Sequence, residues 1–372
     1  MAAGELPTVG DWLAVLGRLY PESSAEQWDS TGFQAGDRSW QAARVLVALD
    51  PSLDVIAEAQ DRGCGLLVTH HPLLFRPLQR MDLADPVARA AAMAVSSRVA
   101  VAACHTNADV AQPGVSDALA DALGVEVTGV LHATSAAEQL KVVTFVPPEA
   151  TVKVIDAVAN SGGGVIGEYH HCSFRVRGTG TFFPSERAHP AVGERGRLNE
   201  VDEDRVEMIV PRQYLEPAVE ALVNAHPYEE PAYDVYPQAS PGGLGLGRIG
   251  ELAQPLAGRE LARRCQERLG SQVRLAGDPG KQIRRLALCG GSGASLIPDA
   301  LRAGVDAFVT GDLKHHQALD AASAGLVLID AGHHGTESPF IPILAAQLSE
   351  AGTHLGGDVM VSDTKTDPFA VP

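Results

Sequence analysis

Two stretches of the chain alternate short β-branched runs with alanine-rich segments of helical character, and this alternation limits the possible folds more than any other feature. The first stretch spans residues 43–109 and the second spans residues 284–352. A helix between two strands commonly places those strands side by side in the same direction. The sequence therefore predicts an α/β fold built from βαβ units around mostly parallel strands.

The second stretch repeats the strand-helix alternation of the first. The predicted strands are ARVLVALD (43–50), CGLLVTHH (64–71), RVAVAACHTNAD (98–109), RRLALCGG (284–291), VDAFVTGD (305–312) and LVLIDAGHHGTE (326–337). The predicted helices are SLDVIAEAQDRG (52–63), DPVARAAAMAVSS (85–97), ASLIPDALRAG (294–304), LKHHQALDAASAG (313–325) and SPFIPILAAQLSEAG (338–352). Asp85 is expected to cap its helix and Gly63 to close one, and Pro298 must either fall in the first turn of its helix or kink it. VTHH corresponds to VTGD, and ACHTNAD to DAGHHGTE, which indicates a weak pseudo-repeat of two halves.

The middle of the chain has a different pattern. Residues 138–240 follow a β-α-β, β-α-β order with their own turn signals, between SAAEQ and the glycine-rich PGGLGLG. We therefore predict one α/β domain formed by residues 1–134 and 245–372, interrupted by an inserted ferredoxin-like α+β domain at 138–240. A chain of 372 residues is long enough for two such cores.

Composition excludes several classes of function. The formal net charge of −17 disfavours nucleic acids and anionic membrane surfaces as partners. The apolar runs fall short of a membrane span, and the N-terminus lacks the features of a signal peptide. The five cysteines form no CxxC pair, which favours free thiols in a reducing compartment. We expect a soluble cytoplasmic protein.

Polar side chains follow several of the predicted parallel strands. In open α/β sheets, ligands bind beyond the carboxyl ends of the strands. The side chains expected at that edge are His70, His71, His105, Asp109, Asp312, His333, His334 and Glu337. Imidazoles and carboxylates without thiolates suit zinc, iron, manganese, cobalt or nickel, and there are more donors here than one tetrahedral ion needs. Two neighbouring metal ions would use them.

Each of these residues also has an ordinary structural interpretation. Adjacent His70 and His71 would point to opposite sides of a strand, unless the strand has ended, as the following Pro72 indicates. Asp109 could cap the next helix, and His105 could bond within its loop. The four-residue spacing of His333 and Glu337 brings both to one side of a helical turn, leaving His334 directed elsewhere. His315 and His316 open a predicted helix, where His316 could donate protons to the pocket.

These motifs resemble those of one family. AEQWDSTGFQAG (25–36), VTHHPLLF (68–75), HTNAD (105–109), VTGDLKHH (309–316), DAGHHGTE (330–337) and SDTKTDP (362–368) look like the successive motifs of the NIF-three-like dinuclear metal centre proteins. The family is often labelled GTP cyclohydrolase I type 2 homologue. The inserted segment, with HPYEEPAYDVYP, resembles the CutA/PII-like domain of its longer members.

The resemblance implies a toroidal homohexamer with two divalent metal ions per subunit, for which zinc, iron and manganese remain open. The family's metal ligands fall here on His70, His71, Asp109, His333 and Glu337. Asp312 matches the acidic residue of the VTGD motif. Family members often have an aromatic pair and one histidine after that motif, where this chain has Leu313-Lys314-His315-His316, so the role of His315 is open.

Three functions are compatible with this reading. In the first, a metal-bound hydroxide opens the guanine ring of GTP at C8, with Asp109 or Glu337 orienting it and His105, His316 and Asp312 as the catalytic residues. Cations for the triphosphate would be Arg76, Arg80 and Lys314. In the second, the same centre hydrolyses another small molecule, as a phosphoesterase or amidohydrolase. In the third, the protein is a metal-binding or regulatory hexamer that is not an enzyme.

Overall fold

The structure is a computed structural model that describes residues 6–133, 139–166, 169–238 and 244–369. The chain divides into two compact units, one formed by Met1–Thr134 with Gly243–Pro372 and the other by Ser135–Gly242. The junctions expected at SAAEQ and PGGLGLG lie mostly outside the described residues. No helix within the described ranges is both long enough and apolar enough to cross a bilayer.

Fifteen strands and twelve helices are described. The strands are β1 (Gly32–Ala35), β2 (Arg44–Ala48), β3 (Leu66–Thr69), β4 (Ala100–Ala103), β5 (Val125–Ala133), β6 (Gln139–Val146), β7 (Ser173–Phe182), β8 (Asn199–Pro211), β9 (Tyr233–Pro237), β10 (Gly245–Ala257), β11 (Arg274–Ala276), β12 (Gln282–Ser292), β13 (Ala307–Gly311), β14 (Val327–Asp330) and β15 (Asp358–Val361). The helices are α1 (Val9–Leu19), α2 (Leu53–Asp61), α3 (Pro86–Ser96), α4 (Thr106–Val110), α5 (Val115–Leu123), α6 (Thr151–Asn160), α7 (Leu215–Ala225), α8 (Gly258–Leu269), α9 (Ile297–Arg302), α10 (His315–Ser323), α11 (His333–Glu337) and α12 (Phe340–Ala351).

The larger unit contains two sheets, the first built around four parallel strands and the second around three. The first has the order β1-β4-β3-β2-β15, in which all strands but β1 are parallel. The second has the order β11-β14-β13-β12-β10-β5, in which β12, β13 and β14 are parallel and the outer strands are antiparallel. The VTHH and VTGD segments lie at the carboxyl ends of β3 and β13, and each of these strands has a parallel neighbour on both sides.

Helices cover both faces of these sheets, which explains why the parallel strands are apolar throughout. Val45 and Val47 of β2 pack in one core cluster with α1 and α12. The alternate residues, Leu46 and Ala48, pack in another with α2 and α3. The second sheet is covered in the same way, by α5 and α8 on one face and by α9 and α10 on the other.

Most helix limits follow from local signals that are visible in the sequence. Asp85 accepts hydrogen bonds from the first-turn amides of α3, as predicted. Gly63 follows α2 with a φ of +68°, and Pro298 occupies the first turn of α9. The glycine-rich segment interpreted as a domain boundary is different, because residues from Gly245 onward already form β10. There the backbone is packed so closely that a Cβ on Gly247 would lie 2.9 Å from the Leu288 carbonyl oxygen.

The smaller unit is a four-stranded antiparallel sheet of order β7-β8-β6-β9. Its chain order, strand-helix-strand-strand-helix-strand, occurs in ferredoxin-like domains. Helices α6 and α7 pack on one face through a core that includes Val142, Val158, Met208 and Leu222. The other face carries polar and partly exposed residues.

Candidate metal centre

His70 is completely buried directly after β3. Its Nδ1 lies 2.7 Å from the carbonyl oxygen of Cys104. A carbonyl only accepts hydrogen bonds, so Nδ1 carries a proton and Nε2 is the ring nitrogen left to face the cluster. That Nε2 is buried and makes no hydrogen bond to any described residue. A buried polar atom without a partner is costly, which indicates that Nε2 coordinates a bound metal ion or ligand.

His71 lies beside His70 because the strand has ended at Thr69, and the two ring centroids are 5.0 Å apart. Nδ1 of His71 lies 2.7 Å from Oδ1 of Asp50, which follows β2. The other oxygen of Asp50 accepts a hydrogen bond from the Thr366 hydroxyl. Burial lowers the pKa of His71, but its contacts with Asp50 and Glu337 outweigh this effect and raise it to about 10.

His333 begins α11, just beyond β14 in the second sheet. Its Nδ1 lies 2.6 Å from Oδ2 of Asp312, which follows β13. Asp312 has a φ of +58°, a left-handed conformation that is uncommon outside glycine and that aspartate tolerates better than most residues. Asp312 therefore fixes the orientation of a neighbouring imidazole, which is a positioning role.

His105 follows β4 and is held by the loop that precedes β1. Its Nδ1 lies 2.6 Å from Oδ1 of Asp29, whose second oxygen accepts bonds from the amide and hydroxyl of Thr106. Burial opposes ionisation of Asp29, but these contacts dominate and lower its pKa to about 2. A permanently ionised Asp29 keeps the proton of His105 on Nδ1.

Glu337 occupies the centre of the cluster and is 4% exposed. Its Oε1 lies 3.2 Å from Nε2 of His333 and 3.5 Å from Nε2 of His70, and its Oε2 lies 3.1 Å from Nε2 of His71. Burial raises the pKa of Glu337, but the charge of His70 and the contact with His333 lower it well below its usual value. Gly291 makes room for this carboxylate, since a Cβ there would lie 2.1 Å from Oε1.

The four imidazoles share one arrangement that fits metal binding. Each has its Nδ1 against a carboxylate or a carbonyl, the outer-shell contact typical of metal-ligating histidines. Ligand atoms of His70, His71 and His105 lie within 4.8 Å of one another, as do those of His71, His333 and Glu337. These two groups, which share His71, could hold a metal ion.

The remaining predicted residues are placed differently. Asp109 lies in α4, with Oδ1 3.8 Å from Nε2 of His70, so it borders the cluster. Burial raises the pKa of Asp109. His316 is exposed at the start of α10, and its only ring contact among the described residues is with His315. His334 is half-buried.

Two carboxylates that anchor imidazoles, Asp29 and Asp50, were not among the site residues predicted from the sequence, whereas Asp312 was. Asp50 could have been predicted, because it is the polar last residue of the predicted parallel strand 43–50. Asp29 lies within the AEQWDSTGFQAG motif, but strand patterns do not place it at the cluster, because it precedes β1, an antiparallel strand that the βαβ pattern does not predict. Thr366 comes from the C-terminal segment after β15 and reaches Asp50 only through the tertiary fold.

Two exposed aromatic side chains border the cluster beside His105. Trp28 is 62% exposed and Phe75 is 48% exposed. Their ring centroids are 6.0 Å apart and lie 6.2 Å and 6.1 Å from that of His105. Arg76 and Arg80, which follow Phe75 in the loop after β3, are exposed as well.

Comparison with known proteins agrees with this architecture. The model of the family described as Duf34/NIF3 (NGG1p interacting factor 3) matches residues 7–368. A Mycobacterium leprae protein named GTP cyclohydrolase 1 type 2 homolog is 40% identical over 368 residues, which cover 97% of this chain and 94% of that protein. A Bacillus cereus protein related to NIF3 has a crystal structure with 36% identity and a TM-score of 0.76, covering 99% of this chain and 100% of that one. The structure of a Staphylococcus aureus protein has 28% identity and a TM-score of 0.81, with both chains fully covered.

Proposed function

The chain belongs to the Duf34/NIF3 family, and from that membership and the geometry of the cluster we propose that it is a metal-dependent hydrolase with a dinuclear centre. One observation carries the proposal: imidazoles anchored through Nδ1 surround a buried glutamate, and two buried atoms, Nε2 of His70 and Oε2 of Glu337, have no hydrogen-bond partner among the described residues. This donor set of nitrogen and oxygen suits zinc, iron or manganese.

The residues divide into two sets. One ion would be held by His71, His333 and Glu337, and the other by His70 and Asp109. Glu337 would serve both sets, because its carboxylate contacts His70 as well as His71 and His333. The divalent cations would supply Lewis acidity and lower the pKa of water toward neutrality.

The chain's own residues would then orient the substrate and move protons. His105 is suited to proton transfer, because Asp29 fixes its tautomer and its ring lies 5.3 Å from that of His70. Asp312 and Asp50 would hold His333 and His71 in place. The exposed rings of Trp28 and Phe75 would pack against a planar part of the substrate.

For the substrate we propose GTP or a related purine nucleotide, on the basis of the name that the relatives carry. Arg76 and Arg80 supply positive charge near the aromatic pair, which a triphosphate requires on a protein of net charge −17. His316, exposed in the described chain, has no role in this proposal. The toroidal homohexamer and the CutA/PII-like nature of the smaller unit remain predictions; light scattering on the purified protein tests the former.

The test is a turnover assay on protein purified without oxygen and analysed for its metal content. Metal-loaded protein incubated with GTP should decrease the guanine absorbance, and Glu337→Ala should not. Hydrolysis of phosphate esters or amides without loss of the guanine ring would replace GTP by another substrate. If every substrate survives while the metal exchanges with acceptor proteins, the hydrolase proposal is wrong.

A further inference from the structure

The smaller unit contains a cavity of about 950 Å³. None of the residues that line it belongs to the metal cluster. Its floor is the face of the sheet opposite α6 and α7. Strands β7 and β8 contribute most of this floor, and residues 183–192 and 228–232 form the walls. The volume falls within the range of small-molecule binding sites, roughly 300–1,000 Å³.

Two glycines leave the floor of this cavity without side chains. Gly178 and Gly180 are two residues apart on β7, so they face the same side of the sheet. A Cβ on Gly178 would have no atom within 4 Å, and a Cβ on Gly180 would lie 2.1 Å from Oε2 of Glu203. Glycine weakens the interior of a strand and often marks a place where a ligand approaches the backbone.

The walls of the cavity are joined to one another by hydrogen bonds. The amide of His189 donates to Oε2 of Glu229 at 2.9 Å, which ties residues 183–192 to residues 228–232. The hydroxyl of Tyr228 donates to Oε1 of Glu203 at 2.9 Å, which ties residues 228–232 to the floor. The side chain of Asn199 closes the turn that returns to β8. The cavity is therefore part of the folded unit.

Two opposite charges face the cavity without neutralising each other. Glu203 and Arg205 lie two residues apart on β8, about 7 Å along the strand, and form no ion pair in the described chain. Arg205 uses Nε for Glu207, at 3.0 Å, and lies 5.7 Å from the ring centroid of Phe145. Its terminal nitrogens and Oε2 of Glu203 have no hydrogen-bond partner among the described residues.

We propose that this cavity binds a small organic acid that has a planar apolar body and an N–H donor. Arg205 would pair with the acid, and Glu203 would accept the N–H bond. The rings of Phe145, Phe182 and Phe183, which also line the cavity, would contact the planar body. The inference stands apart from the proposed function, because all of these residues belong to the smaller unit.

Anilinonaphthalene sulfonate has these three features and fluoresces when its surroundings are apolar, so it is the probe. The full-length protein should bind one molecule per chain. Gly178→Val places a side chain in the cavity and should weaken binding about tenfold or more. Gly129→Val is the matched control, because Gly129 also lies on a strand and a Cβ there would meet no atom within 4 Å.

The charge is tested with N-phenylnaphthylamine, which has the rings and the N–H but not the sulfonate. It should bind about fivefold or more weakly than the sulfonate, and Arg205→Gln should remove that difference. If Gly178→Val does not fold, Arg205→Gln still tests whether the sulfonate binds in this cavity. Equal binding of both probes by wild-type protein would refute the ligand class. Unchanged binding by a folded Gly178→Val, or the absence of a saturable one-to-one site, would refute the location.

Discussion

Nε2 of His71 lies 3.2 Å from Nε2 of His333, although 262 positions separate the two residues in the chain. His71 follows β3 in the first sheet and His333 follows β14 in the second, so the carboxyl ends of two different sheets meet at this contact. Each ring has its Nδ1 against a carboxylate, which leaves both Nε2 atoms facing each other. Such a pair needs a shared proton or a cation between its members.

Glu337→Ala should reduce the bound metal at neutral pH to about a tenth or less of the wild-type content at limiting metal concentration, since loss of an anchoring contact alone costs 10–100-fold in affinity. The reason is that the carboxylate of Glu337 lies within 3.5 Å of Nε2 of His70, His71 and His333. Elemental analysis of the purified proteins measures this. His334→Ala is the control and should keep its metal. Equal losses in the two variants would mean that the ligand histidine was wrongly assigned.

Asp50→Asn should weaken metal binding by about 10–100-fold while the fold is retained. An amide in place of the carboxylate lowers the basicity of His71 and no longer fixes its proton on Nδ1. Competition with a chelating dye gives the affinity. Asp363→Asn is a suitable control, because the side chain of Asp363 is almost fully exposed. An Asp50→Asn protein with wild-type affinity would show that this contact is unimportant.

Metal-free protein should lose stability as the pH rises. The folded protein raises the pKa of His71 to about 10 and that of His333 to about 9, above the unfolded value near 6.5. Protonated imidazoles therefore stabilise the metal-free fold fully below pH 6.5, and this contribution disappears as the pH rises through 9 to 10. Thermal unfolding with chelator, from pH 6 to 10, measures the trend.

The same pKa values predict proton release. Metal binding at pH 7 should displace about two protons per chain, because both imidazoles must lose theirs. Titration in a weakly buffered solution measures them. A metal-free protein whose stability rises between pH 7 and 10, or metal binding that releases no protons, would contradict the assignment.

Asp117→Asn should lower the free energy of unfolding by roughly 3 kcal/mol. Arg248 is completely buried, and its guanidinium binds both oxygens of Asp117, at 2.8 Å and 2.7 Å, so the variant leaves a buried charge without its counter-ion. Denaturant unfolding measures the loss. Glu267→Gln removes a pair with Arg263 in which both side chains are mostly exposed, and it should cost less than about 1 kcal/mol. Similar losses would mean that burial of the pair is unimportant.

Local patterns were enough for much of the larger unit. The Asp85 cap and the first-turn position of Pro298 are decided within a few residues, so α3 and α9 could be predicted where the structure has them. The polar tips predicted at the ends of two strands instead form the short helices α4 and α11. The donors could also be named, because a polar residue after a parallel strand lies at the carboxyl edge of its sheet. His70, His71, His333 and Glu337 all follow this rule.

The rest depended on contacts between distant segments. The parallel strands form two sheets, which are completed by the antiparallel strands β1, β5, β10 and β11, and the βαβ pattern does not predict these pairings. His105 and His316 looked equivalent as proton donors in the sequence, but only His105 lies beside the other imidazoles, because only its strand ends next to β3.

The sequence by itself determined which residue types stand at the ends of the strands, since side-chain chemistry and strand patterns are local. The tertiary structure decided which of them meet, and which partners orient them. Asp29, Asp50 and Thr366 act through hydrogen bonds across 76, 21 and 316 positions, respectively. No short-range pattern encodes such pairings, because they exist only after the two sheets and the C-terminal segment have packed together.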